Sequence, residues 1–171
     1  PQKAHDAVKS LVQIAVDCGV LYFLTEDEKY ADYASAVLNS YIHGLFPLAI
    51  SEDITNGGWL YPNDHLREAR EIGAQIPLIY DFVFPYLVKK GLVYDLGSDS
   101  LEPFPFLKAE AVFRTYANLA INHGIINCNW PVFEASSLVG NALALSDEKE
   151  KAELLKHFLE ESSAHQDALP K

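Results

Sequence analysis

Residues 122–130, which read NHGIINCNW, combine several side chains that can take part in proton transfer or bind acidic groups. Amides donate hydrogen bonds without carrying charge, and a histidine can accept or supply a proton near neutral pH. Such a set suits binding a carboxylate and drawing a proton from the carbon beside it. The residues predicted to act in this chemistry are Asn122, His123, Asn127 and Asn129.

A second polar cluster, residues 56–65, reads NGGWLYPNDH and is followed by two arginines. Aromatic rings on a glycine-rich loop can present flat faces to sugars, and a guanidinium can pair with a uronate carboxylate through its planar fork. The residues predicted to bind substrate are Trp59, Tyr61, Asn63, Arg67, Arg70 and, from the first cluster, Trp130.

Each cluster also has a purely structural interpretation. Asn122 and Asn129 can serve as helix caps, His123 as a partner for the negative end of a helix, and Trp130 as a core residue. Loop aromatics such as Trp59 are often anchors rather than ligand contacts. Sequence alone leaves these alternatives open.

Charge and missing motifs exclude several classes of function. The formal net charge of −11 argues against nucleic acid, because phosphate binding needs clustered lysine and arginine. No run approaches the roughly 20 apolar residues of a membrane span, so no membrane partner is predicted. No metal or other cofactor is predicted, since no recognised ligand spacing surrounds His123. The Gly-x-Ser-x-Gly pattern of serine hydrolases is absent.

The elements that must position both clusters are helices. Apolar residues recur at helical spacing over residues 4–24, and Thr25 with Glu28 predicts a capping box for a second helix that ends near Gly44. Residues 49–63 show no periodicity and are interpreted as an ordered loop. Asn63 or Asp64 is expected to cap a third helix, which Gly73 and Pro77 weaken midway and which closes at Gly91.

Three more helices follow a linker at residues 97–105. The fourth is expected to end before Gly124, the fifth to be capped by Asn129, and the sixth by Ser146. No segment alternates convincingly with a period of two, so almost no sheet is expected. The prediction is an all-α chain, with antiparallel helix pairs forming part of an (α/α) toroid over residues 1–171.

At these residues the chain resembles the helical toroid domain of the alginate lyase and heparinase II/III-like polysaccharide lyases. Residues 15–30 (AVDCGVLYFLTEDEKY) are similar to the early helix pair of that superfamily, and residues 70–81 (REIGAQIPLIYD) to the next helical segment. Asn122-His123-Gly124, followed by Asn129-Trp130, is similar to the element that supplies active-site groups. Ile121 stands where a second asparagine often precedes Asn-His, so Asn122, Asn127 and Asn129 all remain candidates for the matching amide.

The resemblance implies β-elimination on a uronic-acid polysaccharide. An amide, often helped by a histidine, neutralises the substrate carboxylate and so acidifies the neighbouring proton on C5. A base, usually a tyrosine, removes that proton and the 4-linked sugar leaves. In relatives this tyrosine lies far enough beyond the amide to fall past Lys171, so the chain is expected to hold half a site and to need the C-terminal remainder of the same protein.

The expected partner is therefore an acidic polysaccharide or oligosaccharide, and the expected location is the periplasm or the cell exterior. A toroid glycoside hydrolase, or a non-catalytic carbohydrate-binding relative, is the alternative. The 24 acidic residues offer many candidate carboxylate pairs for hydrolysis. A helical scaffold that binds protein partners is a further possibility.

Overall fold

A computed structural model describes residues 2–123 and 131–159, which form seven α-helices, one π-helical turn and one small hairpin. The elements are α1 (Gln2–Thr25), α2 (Glu28–Leu45), α3 (His65–Glu68), a π-helical turn (Ala69–Gly73), α4 (Ile76–Lys90), β1 (Leu92–Asp95), β2 (Ser100–Pro103), α5 (Phe106–Asn122), α6 (Pro131–Leu143) and α7 (Glu148–Leu159). The predicted all-α fold class is confirmed.

Apolar faces of the helices meet in one core. α1 packs on α2, and α4 packs on both, while α6 lies between α5 and α7. Val12, Leu38 and Ile79 are among the fully buried residues of the first group, and Phe113 and Leu138 are among those of the second. Burying such side chains contributes about 1.5–3 kcal/mol each. His123, directly after α5, and Glu134 on α6 both lie close to His65 of α3.

Most of the helix boundaries agree with the predictions, but two of the caps differ. Asp64 caps α3 by accepting the N–H of Arg67, and Gly91 ends α4 in the left-handed conformation at φ 69°, both as expected. The predicted Thr25 cap is wrong, because Thr25 closes α1 and Asp27 caps α2 through the N–H of Lys29. The prediction that Ser146 caps the last helix is also wrong, because the adjacent Asp147 caps α7.

Replacing Asp147 with alanine is expected to lower the free energy of unfolding by about 1 kcal/mol. Its Oδ1 accepts the N–H groups of Lys149 and Glu150 at 2.9 and 3.0 Å, which would otherwise lack partners at the start of α7. Urea unfolding of Asp147→Ala and Ser146→Ala checks this assignment. A larger loss for Ser146→Ala than for Asp147→Ala would restore Ser146 as the cap.

The hairpin was not expected from the sequence. β1 and β2 pair antiparallel, with Val93 opposite Glu102 and Asp95 opposite Ser100, inside a region interpreted as mostly linker. The buried carboxylate of Asp95 accepts from the side chain of Asn39 on α2 at 3.0 Å and from the N–H groups of Gly97 and Ser98. The bonds from Ser98 and Gly97 lower the pKa of Asp95. The bond from Asn39 connects the hairpin to α2.

The predicted third helix is interrupted in its middle, at the position that Gly73 and Pro77 indicated. The π-helical turn ends at Gly73, and Pro77 lies in the first turn of α4. A Cβ on Gly73 would stand 2.6 Å from Oγ of Ser137, so glycine allows α6 to approach. Asn141 on α6 donates to the carbonyl of Gly73 at 2.6 Å and satisfies the backbone that the interruption frees.

α1 is more apolar along its length than was predicted from the sequence. Among the described residues, the one helix that is long and apolar enough to cross a membrane by length and composition is Lys3–Thr25, with mean hydropathy 1.6. The prediction that no segment approaches the length and apolar composition of a membrane span is therefore wrong for α1. One face of α1, including Val12 and Ala15, is buried against the rest of the fold.

Candidate functional site

A buried carboxylate organises the loop that carries the second polar cluster. The side chain of Glu68 is fully buried, and its oxygens accept the backbone N–H groups of Trp59, Leu60 and Tyr61 at 2.9, 2.9 and 2.8 Å. The hydroxyl of Tyr116 on α5 donates to the same carboxylate at 2.8 Å. Four donors thus replace the water that a buried carboxylate would otherwise need.

Two glycines let this loop fold tightly over Glu68. A Cβ on Gly58 would lie 2.2 Å from Oε2 of Glu68, and one on Gly57 would lie 2.3 Å from the carbonyl oxygen of Asp53. The N–H of Gly58 donates to the carbonyl of Tyr61 at 3.1 Å, which orients the peptide between the two glycines. The carbonyl of Gly57, in the same peptide, is thereby held in one direction.

That carbonyl fixes the ring of His123. Nδ1 of His123 lies 2.6 Å from the oxygen of Gly57. A carbonyl can only accept, so Nδ1 carries the proton in the neutral ring and Nε2 is left as an acceptor. In the protonated ring, Nε2 becomes a second donor while the bond to Gly57 is kept.

Asn122 and His123 open onto a surface pocket of about 310 Å³. The side chain of Asn122 is exposed and that of His123 is half-buried. The remaining lining residues are Ile50, Arg114, Thr115, Asn118 and Leu119. A pocket of this size accommodates a sugar unit. Two of the four residues predicted to act on a sugar acid are therefore side by side at an accessible cavity, whereas Asn127 and Asn129, together with Trp130, lie outside the described residues.

Trp59 and Tyr61 occupy the core in the described chain. Trp59 is 6% exposed, donates from its indole N–H to the carbonyl of Leu48 at 2.9 Å and contacts Tyr116 edge to face. Tyr61 is 4% exposed and stacks on His5 at 4.3 Å between ring centroids. Neither ring presents an open face, because the bonds to Glu68 pull this loop inward. A role in sugar binding stays a prediction for both.

The two predicted arginines share one buried acid. Glu71 pairs with Arg67 at 3.1 Å, with Arg70 at 3.6 Å and with Lys9 at 3.7 Å. Arg70 is the more exposed of the two, and Arg67 also lies over the Tyr61 ring. Asn63 is exposed on the same loop. These residues lie apart from the lining of the pocket at Asn122, so their assignment as substrate contacts stays a prediction.

A buried histidine next to the site was not predicted. His65 begins α3, is fully buried, and lies 6.4 Å from His123 between ring centroids. Its Nε2 is 3.8 Å from Oε1 of Glu134 on α6. Among the described residues neither ring nitrogen has a hydrogen-bond partner. Burial, with a smaller contribution from His123, lowers the pKa of His65 to about 4, so the ring is neutral at pH 7.

Stability is expected to fall by about 3 kcal/mol as the pH drops from 6.5 to 4 through His65 alone. The pKa of His65 in the folded chain is about 4, below its ordinary value of 6.5, so the unfolded chain takes up a proton that the folded chain excludes. Urea unfolding across this range checks the slope. His65→Gln should flatten it, whereas His157→Gln, at an exposed site on α7, should leave it unchanged. Equal slopes for the natural chain and His65→Gln would contradict the assignment.

The described residues contain no group of three or more histidine, cysteine, aspartate or glutamate side chains placed to hold a metal ion. The polar groups that line the pocket include two neutral amides, one imidazole and an arginine. Such groups bind anions and polar hydroxyls and can transfer protons.

One known protein is similar to this chain along most of its length. The endo-acting ulvan lyase of Formosa agariphila is 27% identical over 157 residues, which cover 87% of this chain and 18% of that protein. The chain thus spans about a fifth of the length of that relative. No family model matches the chain, and no solved structure matches it. The similarity supports a relationship to polysaccharide lyases.

Proposed function

We propose that this chain is the helical part of a polysaccharide lyase that cleaves a uronic-acid polysaccharide by β-elimination. The observation that carries the proposal is the pairing of Asn122 and His123 at one accessible pocket, with the ring of His123 oriented by Gly57. The similarity to an ulvan lyase supports the same class of reaction. The helices are proposed to form part of an (α/α) toroid.

In this mechanism Asn122 and His123 bind the carboxylate of the uronate whose bond from C4 to the glycosidic oxygen breaks, which is the sugar that keeps the new double bond. Asn122 donates an amide N–H, and the protonated ring of His123 donates from Nε2 while Nδ1 stays bonded to Gly57. Neutralising the carboxylate makes the C5 proton more acidic, since negative charge develops on the carboxylate as that proton leaves. A base removes the proton from C5, and the bond from C4 to the glycosidic oxygen breaks with its electron pair on that oxygen. The departing oxygen takes up a proton from an acidic group or from water, and a C4–C5 double bond remains.

The base is proposed to lie outside this chain. The 171-residue chain is then expected to bind acidic oligosaccharide weakly and to release no unsaturated product, because a catalytic set without one member loses several orders of magnitude in rate. A secreted or periplasmic protein fits this substrate, since polysaccharides of this type are met outside the cytoplasm.

Binding and turnover by the 171-residue chain test the proposal. NMR titration with tetragalacturonate and with ulvan oligosaccharides should shift the signals of Asn122 and His123, while cellotetraose, a neutral probe, should shift them less. Asn122→Ala and His123→Ala should weaken binding about tenfold each, which corresponds to about 1.4 kcal/mol.

Two results would contradict the proposal. Shifts confined to residues remote from the pocket would show that sugar binds elsewhere. Ultraviolet absorbance from a conjugated double bond, produced by the chain alone, would show that the base is already present.

A further inference from the structure

The polar side chains of α5 extend the pocket beyond Asn122. Arg114, Asn118 and Asn122 follow one another at intervals of four residues and line the same cavity. With a rise of 1.5 Å per residue, Asn118 lies about 6 Å and Arg114 about 12 Å along the helix from Asn122. This row is long enough to contact more than one unit of an extended sugar chain.

The guanidinium of Arg114 is held in place and still has donors to offer. Its Nε and Nη2 both donate to the carboxylate of Glu150 on α7, with Nη2 at 2.7 Å from Oε2. Glu150 is itself positioned by its N–H bond to Asp147. A guanidinium has five N–H groups, so this fork leaves donors at its outer edge. The side chain of Arg114 is 41% exposed, which makes that edge accessible.

The amide of Asn118 lies between Arg114 and Asn122 on the same face. It donates to the backbone carbonyl of Arg114 at 2.8 Å. That bond uses one N–H and leaves the second N–H and the amide oxygen. One donor and one acceptor on a single amide suit the hydroxyl groups of a sugar.

We propose that this row binds the sugars next to the one held at Asn122, with Asn118 contacting hydroxyl groups and Arg114 contacting the carboxylate of a further uronate. The inference rests on the proposed function, because it takes the sugar acid at Asn122 as its reference point. Arg114 then selects acidic chains at a distance from the reacting bond. Nothing in this role requires a chemical step.

Two charge-removing variants separate this role from a structural one. Arg114→Gln and Glu150→Gln both break the same ion pair, so a structural role changes the affinity for sugar in the same direction in both. A binding role gives opposite signs, because Arg114→Gln removes the cation while Glu150→Gln removes a competing anion and frees the fork. We expect the Kd for tetragalacturonate to rise about tenfold in Arg114→Gln and to fall severalfold in Glu150→Gln.

Calorimetry on the 171-residue chain at low and high salt measures these constants. Both effects should shrink at high salt, where exposed charges are screened, and neither should appear with cellotetraose. Asn118→Ala should raise the Kd severalfold for tetragalacturonate and cellotetraose alike. Lys29→Gln is the matched control, since Lys29 pairs with Asp27 on the surface and does not line this pocket.

The outcomes distinguish this inference from the proposed function. Changes of the same sign in Arg114→Gln and Glu150→Gln, or no change in either, overturn the inference while Asn122→Ala still weakens binding. If neither tetragalacturonate nor ulvan oligosaccharides bind the natural chain, the proposed function fails as well.

Discussion

Replacing Asn122 with alanine is expected to lower the rate of elimination by the full natural protein by about 10² to 10³ fold. The amide donates to the sugar carboxylate, and this bond strengthens as negative charge develops in the transition state. The loss should therefore appear mainly in kcat rather than in KM. Steady-state rates from the absorbance of the unsaturated product measure it, with thermal unfolding confirming that the variant is folded.

Gln13→Ala provides a matched control for the loss of an amide. Gln13 is an exposed amide on α1 that donates to Asp17 at 3.0 Å. It does not line the pocket, so its loss should leave the rate unchanged. A rate within a few fold of the natural protein in Asn122→Ala would contradict the role of Asn122. The same measurement on Asn127→Ala and Asn129→Ala then decides which amide carries the chemistry.

Replacing Glu68 with glutamine is expected to lower the free energy of unfolding by about 3–5 kcal/mol. The carboxylate accepts from three backbone N–H groups and from the hydroxyl of Tyr116, all in a buried setting. An amide has a donor in place of one acceptor oxygen, so part of this set is left without a partner and the amide N–H faces other donors. Urea unfolding measures the loss.

Two comparisons define the effect at Glu68. Glu52→Gln, on the same loop but exposed, should change stability by less than 0.5 kcal/mol. Tyr116→Phe should cost about 1–2 kcal/mol, and its effect should shrink in the Glu68→Gln background because the two groups share one bond. A loss below 1 kcal/mol in Glu68→Gln would show that the loop does not depend on this carboxylate.

The helices could be predicted because their signals are local. Apolar spacing gave α1, α2, α5 and α7, and the glycine and proline of residues 73–77 marked the interruption before α4. The caps of α2 and α7 were misplaced because a threonine or serine lies close to an aspartate at both positions, and only geometry shows which side chain accepts. The hairpin was missed because each strand is four residues long, too short for an alternating pattern to stand out.

The sequence placed Asn122 and His123 together because they are adjacent in the chain at the end of a helix, and both line the pocket. Their role in catalysis stays a prediction. The burial of Trp59 and Tyr61 depends on Glu68 folding under the loop, and the proximity of His65 to Glu134 depends on how α6 packs on α3. Sequence gives no direct signal for such distant contacts.

The bonds from His123 to Gly57 and from Asn141 to Gly73 anchor α5 and α6 independently to the same segment, residues 57–73. The bond that orients the imidazole of His123 does not involve Asn141, and the bond from Asn141 does not involve His123. A substitution at Asn141 alone therefore leaves the hydrogen bond between His123 and Gly57 available, and this position can vary in evolution without removing the group that orients the imidazole.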